Sequence, residues 1–374
     1  MVYNYEKFVK RFVMVNAIIV CLVVISTYFI ANIFKENYSD SEILENYENV
    51  LYGSSIKDGG LIKLRIIGER MPDVIALGSS RVMQFRADYF QNKNFYTLGG
   101  LGSSIEELEY TWGKVRQVYV PKVVIVGIDP WWLNPNLKQG NNLINGENEG
   151  YNNILVEFFR NKNMRKQLLH MDEIKDNDAL GGRINIGLDA AVNGNGYRLS
   201  DGSRQYGKTI QDKEDNVTRF KSTYERMEKG AKGDRFVWCD TVSDKQLEKL
   251  QILLCDIKKS GAEVVVFLPP FPHEVYDYMD NNPHYHNYLH EYIYKTNKIC
   301  DELEIPWYNF CDLASVGSSD DEAIDGFHGS DLAYARITAL MGKDRPLSCY
   351  INRKNLQNVI SNPIDNMQAI PASN

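Results

Sequence analysis

Two short segments, far apart in the chain, hold side chains that could do nucleophilic chemistry together. Gly78-Ser79-Ser80-Arg81 offers serine hydroxyls, and Asp325-Gly326-Phe327-His328 offers a carboxylate and an imidazole three residues apart. A serine attacks a carbonyl carbon when a base within hydrogen-bond reach takes its proton, and a carboxylate keeps that base correctly turned. One loop carrying Asp325 and His328 supplies both partners. A glycine loop at Gly99, Gly100 and Gly102 offers bare backbone N–H groups to a developing oxyanion. The blander readings are Ser80 as a helix cap, Ser79 as the nucleophile, and His328 as a surface histidine.

These residues need a frame that brings them together. Asp73 to Leu77 reads as a strand ending at the serines, and Asn94 to Leu98 as a strand ending at the glycines. Lys122 to Gly127 and Glu263 to Leu268 are continuous apolar runs, the pattern of parallel strands buried on both faces. Trp307 to Phe310 is a short strand after Pro306. Between the strands lie helical patterns. One starts at Ser103-Ser104, with Glu106 and Glu107 positioned for a capping box, and buries Ile105, Leu108, Trp112 and Val115. Others begin at Ser243, near residue 285 and at Ser330. Alternating strands and helices predict an α/β fold, a doubly wound, mostly parallel sheet whose ligands lie beyond the strands' carboxyl ends. Ser80, opening a helix after its strand, would gain that helix's positive end.

In this order and spacing the motifs resemble the SGNH, or GDSL-like, hydrolase superfamily, over about residues 70–133 and 244–342. The family's first block, Gly-Asp-Ser, appears as Gly78-Ser79-Ser80, so the resemblance implies Ser80 as nucleophile. In its second block the Asn is replaced by Thr97, while the oxyanion glycine is kept as Gly102. Its third block, Gly-x-Asn, appears as Gly127-Ile128-Asp129, and its last, Asp-x-x-His, as Asp325 and His328. His328 would then serve as general base and acid, Asp325 would orient it, and the Gly102 and Ser80 N–H groups would hold the oxyanion. Asp129 departs from the pattern: a carboxylate only accepts hydrogen bonds, so it is either protonated or turned to another partner. The single anchor described below, the Ser-Ser block and the aromatic third block (Asp129-Pro130-Trp131-Trp132) are similar to the envelope acyl-transfer branch. That branch includes the D-alanyl transfer protein of teichoic acid modification and proteins of alginate and cellulose O-acetylation. The resemblance implies a membrane-bound O-acyltransferase as partner.

Arg81 and Asp129 are candidates for substrate binding, and Trp131 and Trp132 for a sugar-stacking platform, at least one of them serving as core instead. His286 and His290, at helical i, i+4 spacing, suit a metal, but no further ligand motif lies beside them, so no metal is assigned. Leu268-Pro269-Pro270-Phe271-Pro272 is read as a rigid turn that could shape a pocket. No cofactor is expected.

The N-terminus sets the location. Phe12 to Phe34 is 23 residues without a charge, about 34 Å as a helix and enough to cross a bilayer. Lys7, Lys10 and Arg11 precede it, and Glu36, Asp40, Glu42, Glu45 and Glu48 follow. The positive-inside rule then predicts a cytoplasmic N-terminus and everything beyond the anchor outside. With 42 basic against 49 acidic side chains, the net charge of −7 argues against a nucleic-acid partner. Five of the six cysteines (Cys239, Cys255, Cys300, Cys311 and Cys349) follow the anchor, so at least one stays unpaired within the chain, and the sequence assigns no disulfide.

The expected organisation is a cytoplasmic segment 1–11, an anchor 12–34, a polar, partly helical juxtamembrane stalk 35–70, and an SGNH-like domain 71–342. That domain would carry an inserted cap at about 134–242, including a hairpin between Gly196 and Gly207. Residues 343–374 would be a surface-wrapping or disordered tail. The expected function is a membrane-anchored, extracytoplasmic serine O-acyl, foremost O-acetyl, transferase or esterase acting on a cell-envelope polysaccharide or teichoic-acid-like polymer. The alternative is a non-catalytic module of the same fold that binds glycan or scaffolds the acyltransferase.

Overall fold

Tyr5–Ile33 forms one helix of 29 residues, α1, with no glycine or proline inside it to interrupt the ladder. It is long and apolar enough to span a membrane. The computed structural model describes residues 5–36, 38–54, 59–138, 140, 143, 184–207, 210 and 215–370.

The end of α1 is docked on the rest of the chain. Thr27 and Ala31 are buried, the Gly187 N–H donates to the Phe34 carbonyl at 2.8 Å, and the buried Glu36 accepts from the Leu188 N–H and the Ser54 hydroxyl, both at 2.7 Å. The expectation of a polar stalk over 35–70 is therefore corrected. This stretch holds α2 (Asp40–Asn46), opened by a Ser39–Glu42 capping box, β1 (Val50–Tyr52) and α3 (Gly59–Arg70). Ile43, Val50, Tyr52, Ile62, Ile66 and Ile67 all join the main core. Charged residues between these apolar positions mask them in a composition-level reading.

Much of the described insertion also belongs to the body of the protein. β5 (Ile184–Ile186) pairs parallel with β1. On β1's other side β6 (Asn195–Arg198) runs antiparallel and is joined by β7 (Arg204–Tyr206), giving the order β5-β1-β6-β7. The expected hairpin is this β6–β7 pair, with Gly202 at φ +74° in its turn. A short helix, α5 (Leu188–Asn193), links β5 to β6 and packs Leu188, Ala191 and Val192 against Phe34 and Ile30. Residues 144–183, the middle of the insertion, lie outside the described residues.

The main sheet is five-stranded and parallel throughout. β2 (Val74–Leu77), β3 (Phe95–Thr97), β4 (Val123–Gly127), β8 (Glu263–Leu268) and β9 (Trp307–Asn309) take the order β3-β2-β4-β8-β9. β2 to β4 are buried along their whole length, and β2 and β4 are accordingly apolar without alternation. Helices α4 (Ile105–Val118), α7 (Asp244–Lys259) and α9 (His286–Glu302) pack in succession, with α3 against α4, α7 against β8 and α9 against β9. The order reverses at the β2/β4 pair, so the loops leaving those two strands open to either side of one crevice, the usual place for a ligand in such sheets.

Further helices complete the described chain. α6 (Asn216–Lys229) precedes α7, α8 (His273–Asn281) leads into α9, and α10 (Asp331–Met341) is capped by Ser330. After it, residues 343–370 wrap the surface as an ordered segment. α11 (Arg353–Ser361) packs on α10, and Leu347, Ile351, Leu356, Val359, Ala369 and Ile370 are buried.

Candidate active site

Ser80 follows β2 at once, in a turn that only glycine permits at position 78. A Cβ there would come 2.6 Å from Val82 Cγ1. Ser79 caps the turn by accepting the Arg81 N–H at 3.1 Å, and the Tyr334 hydroxyl of α10 donates to the Arg81 carbonyl. The turn is a three-residue 3₁₀ segment, Ser80–Val82, and not the opening of an α-helix. The expected contribution of a helix dipole at Ser80 is therefore corrected: one short turn adds up too few aligned peptides to matter.

Asp325 and His328 lie on a tight hairpin of β10 (Ala323–Asp325) and β11 (His328–Gly329), where the two residues pair across the turn. His328 Nε2 is 2.8 Å from Ser80 Oγ, and its Nδ1 is 2.8 Å from Asp325 Oδ2 and 3.0 Å from Oδ1. Asp325 Oδ1 also accepts the Phe327 and His328 N–H groups, each at 2.9 Å. Burial pushes the Asp325 carboxyl up, but the His328 ring and these donors outweigh it and hold the carboxyl below the usual range. A carboxylate on Nδ1 leaves Nε2 as the acceptor for the Ser80 proton. Ser80 itself is partly exposed, while His328 is buried.

The glycine loop after β3 packs against the same turn. Gly100 donates to the Gly78 carbonyl at 3.2 Å with φ +87°, and a Cβ on Gly102 would strike Leu108 at 2.4 Å. Thr97 donates to the Val82 carbonyl and accepts the Gly99 N–H, each at 3.0 Å, so this residue ties the loop to the serine turn. Among the described residues, neither the Ser80 N–H nor the Gly102 N–H has a hydrogen-bond acceptor. Both are available to an incoming oxygen.

The four residues expected to touch substrate are all buried. Arg81 is 1% exposed and pairs with the fully buried Asp129, Nη1 to Oδ1 3.2 Å, while its Nη2 donates to the Pro269 carbonyl at 2.6 Å. Asp129 has thus turned to another partner. Burial pushes its carboxyl up against the pull of Arg81. Trp132 is core. Trp131 is 5% exposed and packs edge-on to Phe236 and Phe327. Strand-end residues beside a switch point look equally available in a sequence, and only packing separates them. The Pro269–Pro272 turn carries Phe271, whose ring lies 4.1 Å from the Arg81 guanidinium carbon, so it helps to enclose this pair.

Residues from the insertion, which gave no periodic signal, complete the surroundings. Arg219 of α6 donates to the Ala323 carbonyl, and Thr223 abuts Gly326 so closely that a Cβ there would lie 2.3 Å from its Oγ1. Arg226 binds Asp234 through Nε at 2.9 Å and Nη2 at 3.1 Å. Arg235 stacks over Trp131 and Phe327. Away from this region, His286 and His290 both approach Asp280 in an exposed group at the α8–α9 junction, with His290 Nε2 2.7 Å from its Oδ1. None of the six cysteines is paired.

No protein-family model matches the sequence, and no curated protein is significantly similar to it.

Proposed function

We propose that the chain is an SGNH-like, doubly wound serine enzyme that moves an O-acyl group, foremost acetyl, to or from a cell-envelope polysaccharide or teichoic-acid-like polymer. The observation that carries this reading is the continuous Ser80–His328–Asp325 hydrogen-bonded relay, built from segments 248 residues apart at the carboxyl edge of the parallel sheet. Ser80 Oγ attacks the ester carbonyl as His328 Nε2 takes its proton. The tetrahedral oxyanion is held by the unengaged N–H groups of Ser80 and Gly102. The oxyanion collapses, the C–O bond to the alcohol breaks, and His328 returns the proton to that leaving oxygen. A sugar hydroxyl or water then attacks the acyl-serine, giving its proton to His328, and Ser80 is restored. Asp325 stays ionised and steadies the imidazolium. No step needs a cofactor.

The N-terminal helix and the charge step across it support an anchored protein with its domain outside the cytoplasm. A membrane-bound O-acyltransferase would be the natural acyl donor beside it. Labelling of the full chain in detergent with a fluorophosphonate probe tests the reading: wild type should be modified at Ser80 and Ser80→Ala should not. Unlabelled wild-type protein would favour the glycan-binding or scaffolding alternative.

A further inference from the structure

Three arginines and two carboxylates meet behind the triad, and the pairing leaves one cation over. Arg81 is taken by Asp129 and Arg226 by Asp234. Arg235 donates no hydrogen bond and has no ion-pair partner among the described residues. Its guanidinium carbon lies 4.9 Å from the Trp131 ring and 5.2 Å from the Phe327 ring. The same Phe327 ring is 4.2 Å from the ring of His328, so a single side chain lies between this cation and the catalytic imidazole. Arg235 is partly exposed and lines a narrow cleft with Trp131, Phe271, Tyr285 and Tyr288.

Stacking against aromatic faces leaves the N–H edges of a guanidinium open, and those edges match a carboxylate or phosphate two bonds at a time. Burial, with Arg226 and Arg81 nearby, holds the Arg235 guanidinium below its usual range against the pull of Asp129 and Asp234, which are already paired with those two arginines. An incoming anion relieves that imbalance.

We propose that Arg235 forms, beside the triad, a subsite for one anionic oxyacid group of the substrate, a carboxylate or phosphate carried on either the acyl group or the alcohol. This rests on the acyl-transfer reading given above. It predicts that the enzyme's substrates are charged near the scissile ester, on the side that meets Arg235.

Two pairs of esters test it on the full chain in detergent. Para-nitrophenyl hemisuccinate against para-nitrophenyl acetate puts the charge on the acyl side, and para-acetoxybenzoate against phenyl acetate puts it on the alcohol side. In one pair wild type should favour the anionic ester in kcat/KM by about ten-fold or more, the scale of a hydrogen bond to a charged group. Arg235→Gln should abolish that preference, and Arg235→Lys, which keeps the charge without the fork, should retain part of it. Wild type that labels at Ser80 but treats charged and neutral esters alike in both pairs overturns this inference alone. A preference that survives Arg235→Gln also overturns it. Wild type that neither labels nor turns over any ester removes the acyl-transfer reading and this inference with it.

Discussion

Arg81 and Asp129 close a buried ion pair across the ends of β2 and β4, Nη1 to Oδ1 3.2 Å, with neither side chain reaching solvent. The pair accounts for a carboxylate buried at position 129. Asp129 compensates an arginine that the turn after β2 carries inside. The pair ties the loops that leave these two strands to each other.

Asp129→Asn should accordingly destabilise the protein and not improve it as an esterase. Removing one member of a buried pair leaves the other charge uncompensated, at a cost of about 3–5 kcal/mol. A drop in the denaturant midpoint, relieved in part by Arg81→Met in the same chain, is the expected result. A rise in aryl acetate hydrolysis with unchanged stability would mean that Asp129 acts on the oxyanion after all.

Asp325→Asn should spare the fold and suppress the chemistry. Asparagine can still accept the Phe327 and His328 N–H groups, but it can present an NH₂ to Nδ1, which favours the wrong tautomer. The expected loss in kcat is about a thousand- to ten-thousand-fold, as for other serine triads. Near-wild-type turnover would exclude Asp325 as the orienting group.

How much of this was legible in the sequence follows physical lines. β2, β4 and β8 were readable because strands buried on both faces carry uninterrupted apolar runs. α4, α7 and α10 were readable because a serine caps each one. β1 and β5 were not: each has three residues, and they pair across 134 positions with no local pattern to announce it. Ser80, Asp325 and His328 were legible as candidates because their residue types and spacing are chemical. The Arg81–Asp129 pair, Thr223 against Gly326, and Arg235 were not, since their partners are set only by packing.

Gly326→Ala tests the coupling between α6 and the β10–β11 hairpin that carries Asp325 and His328. Its Cβ would lie 2.3 Å from Thr223 Oγ1 and 2.5 Å from Thr223 Cβ, so either the helix or the hairpin must shift. Activity should fall at least ten-fold, because small displacements of a reacting group are costly. Thr223→Gly in the same chain removes the obstructing atoms and should recover most of the loss. Equal activity in the single and double variants would uncouple the two elements.

Asp331 should leave a pH signature in stability. Burial pushes its carboxyl up to about 6, although the Arg86 guanidinium and the Ala369 N–H pull it down. A carboxyl whose folded pKa exceeds its unfolded value near 3.9 favours the native state most when protonated. This contribution is fully present below about pH 4 and is lost as pH rises through about 6, on the order of 3 kcal/mol in all. Asp331→Asn should flatten the difference between stabilities measured at pH 4 and pH 7. A variant with the same pH slope as wild type would rule out this residue as the source.

The anchor gives a last expectation, about which side of the membrane the site faces. Lys7, Lys10 and Arg11 lie before the apolar helix and a run of acidic residues after it, a distribution that predicts a cytoplasmic N-terminus. Thr27, Ala31 and Phe34 are buried, and Glu36 is tied to Leu188 and Ser54, so the domain sits directly on the helix end with no free stalk between them. Protease added to intact cells, or to spheroplasts where an outer membrane intervenes, should therefore digest the domain. It should leave an epitope placed before residue 5 protected until the membrane is permeabilised. Because the docked segment is short and partly buried, cleavage should begin in the domain's loops and not between residues 34 and 50. Protection of the whole domain in sealed cells would place it in the cytoplasm, and an envelope polymer could then no longer be its substrate.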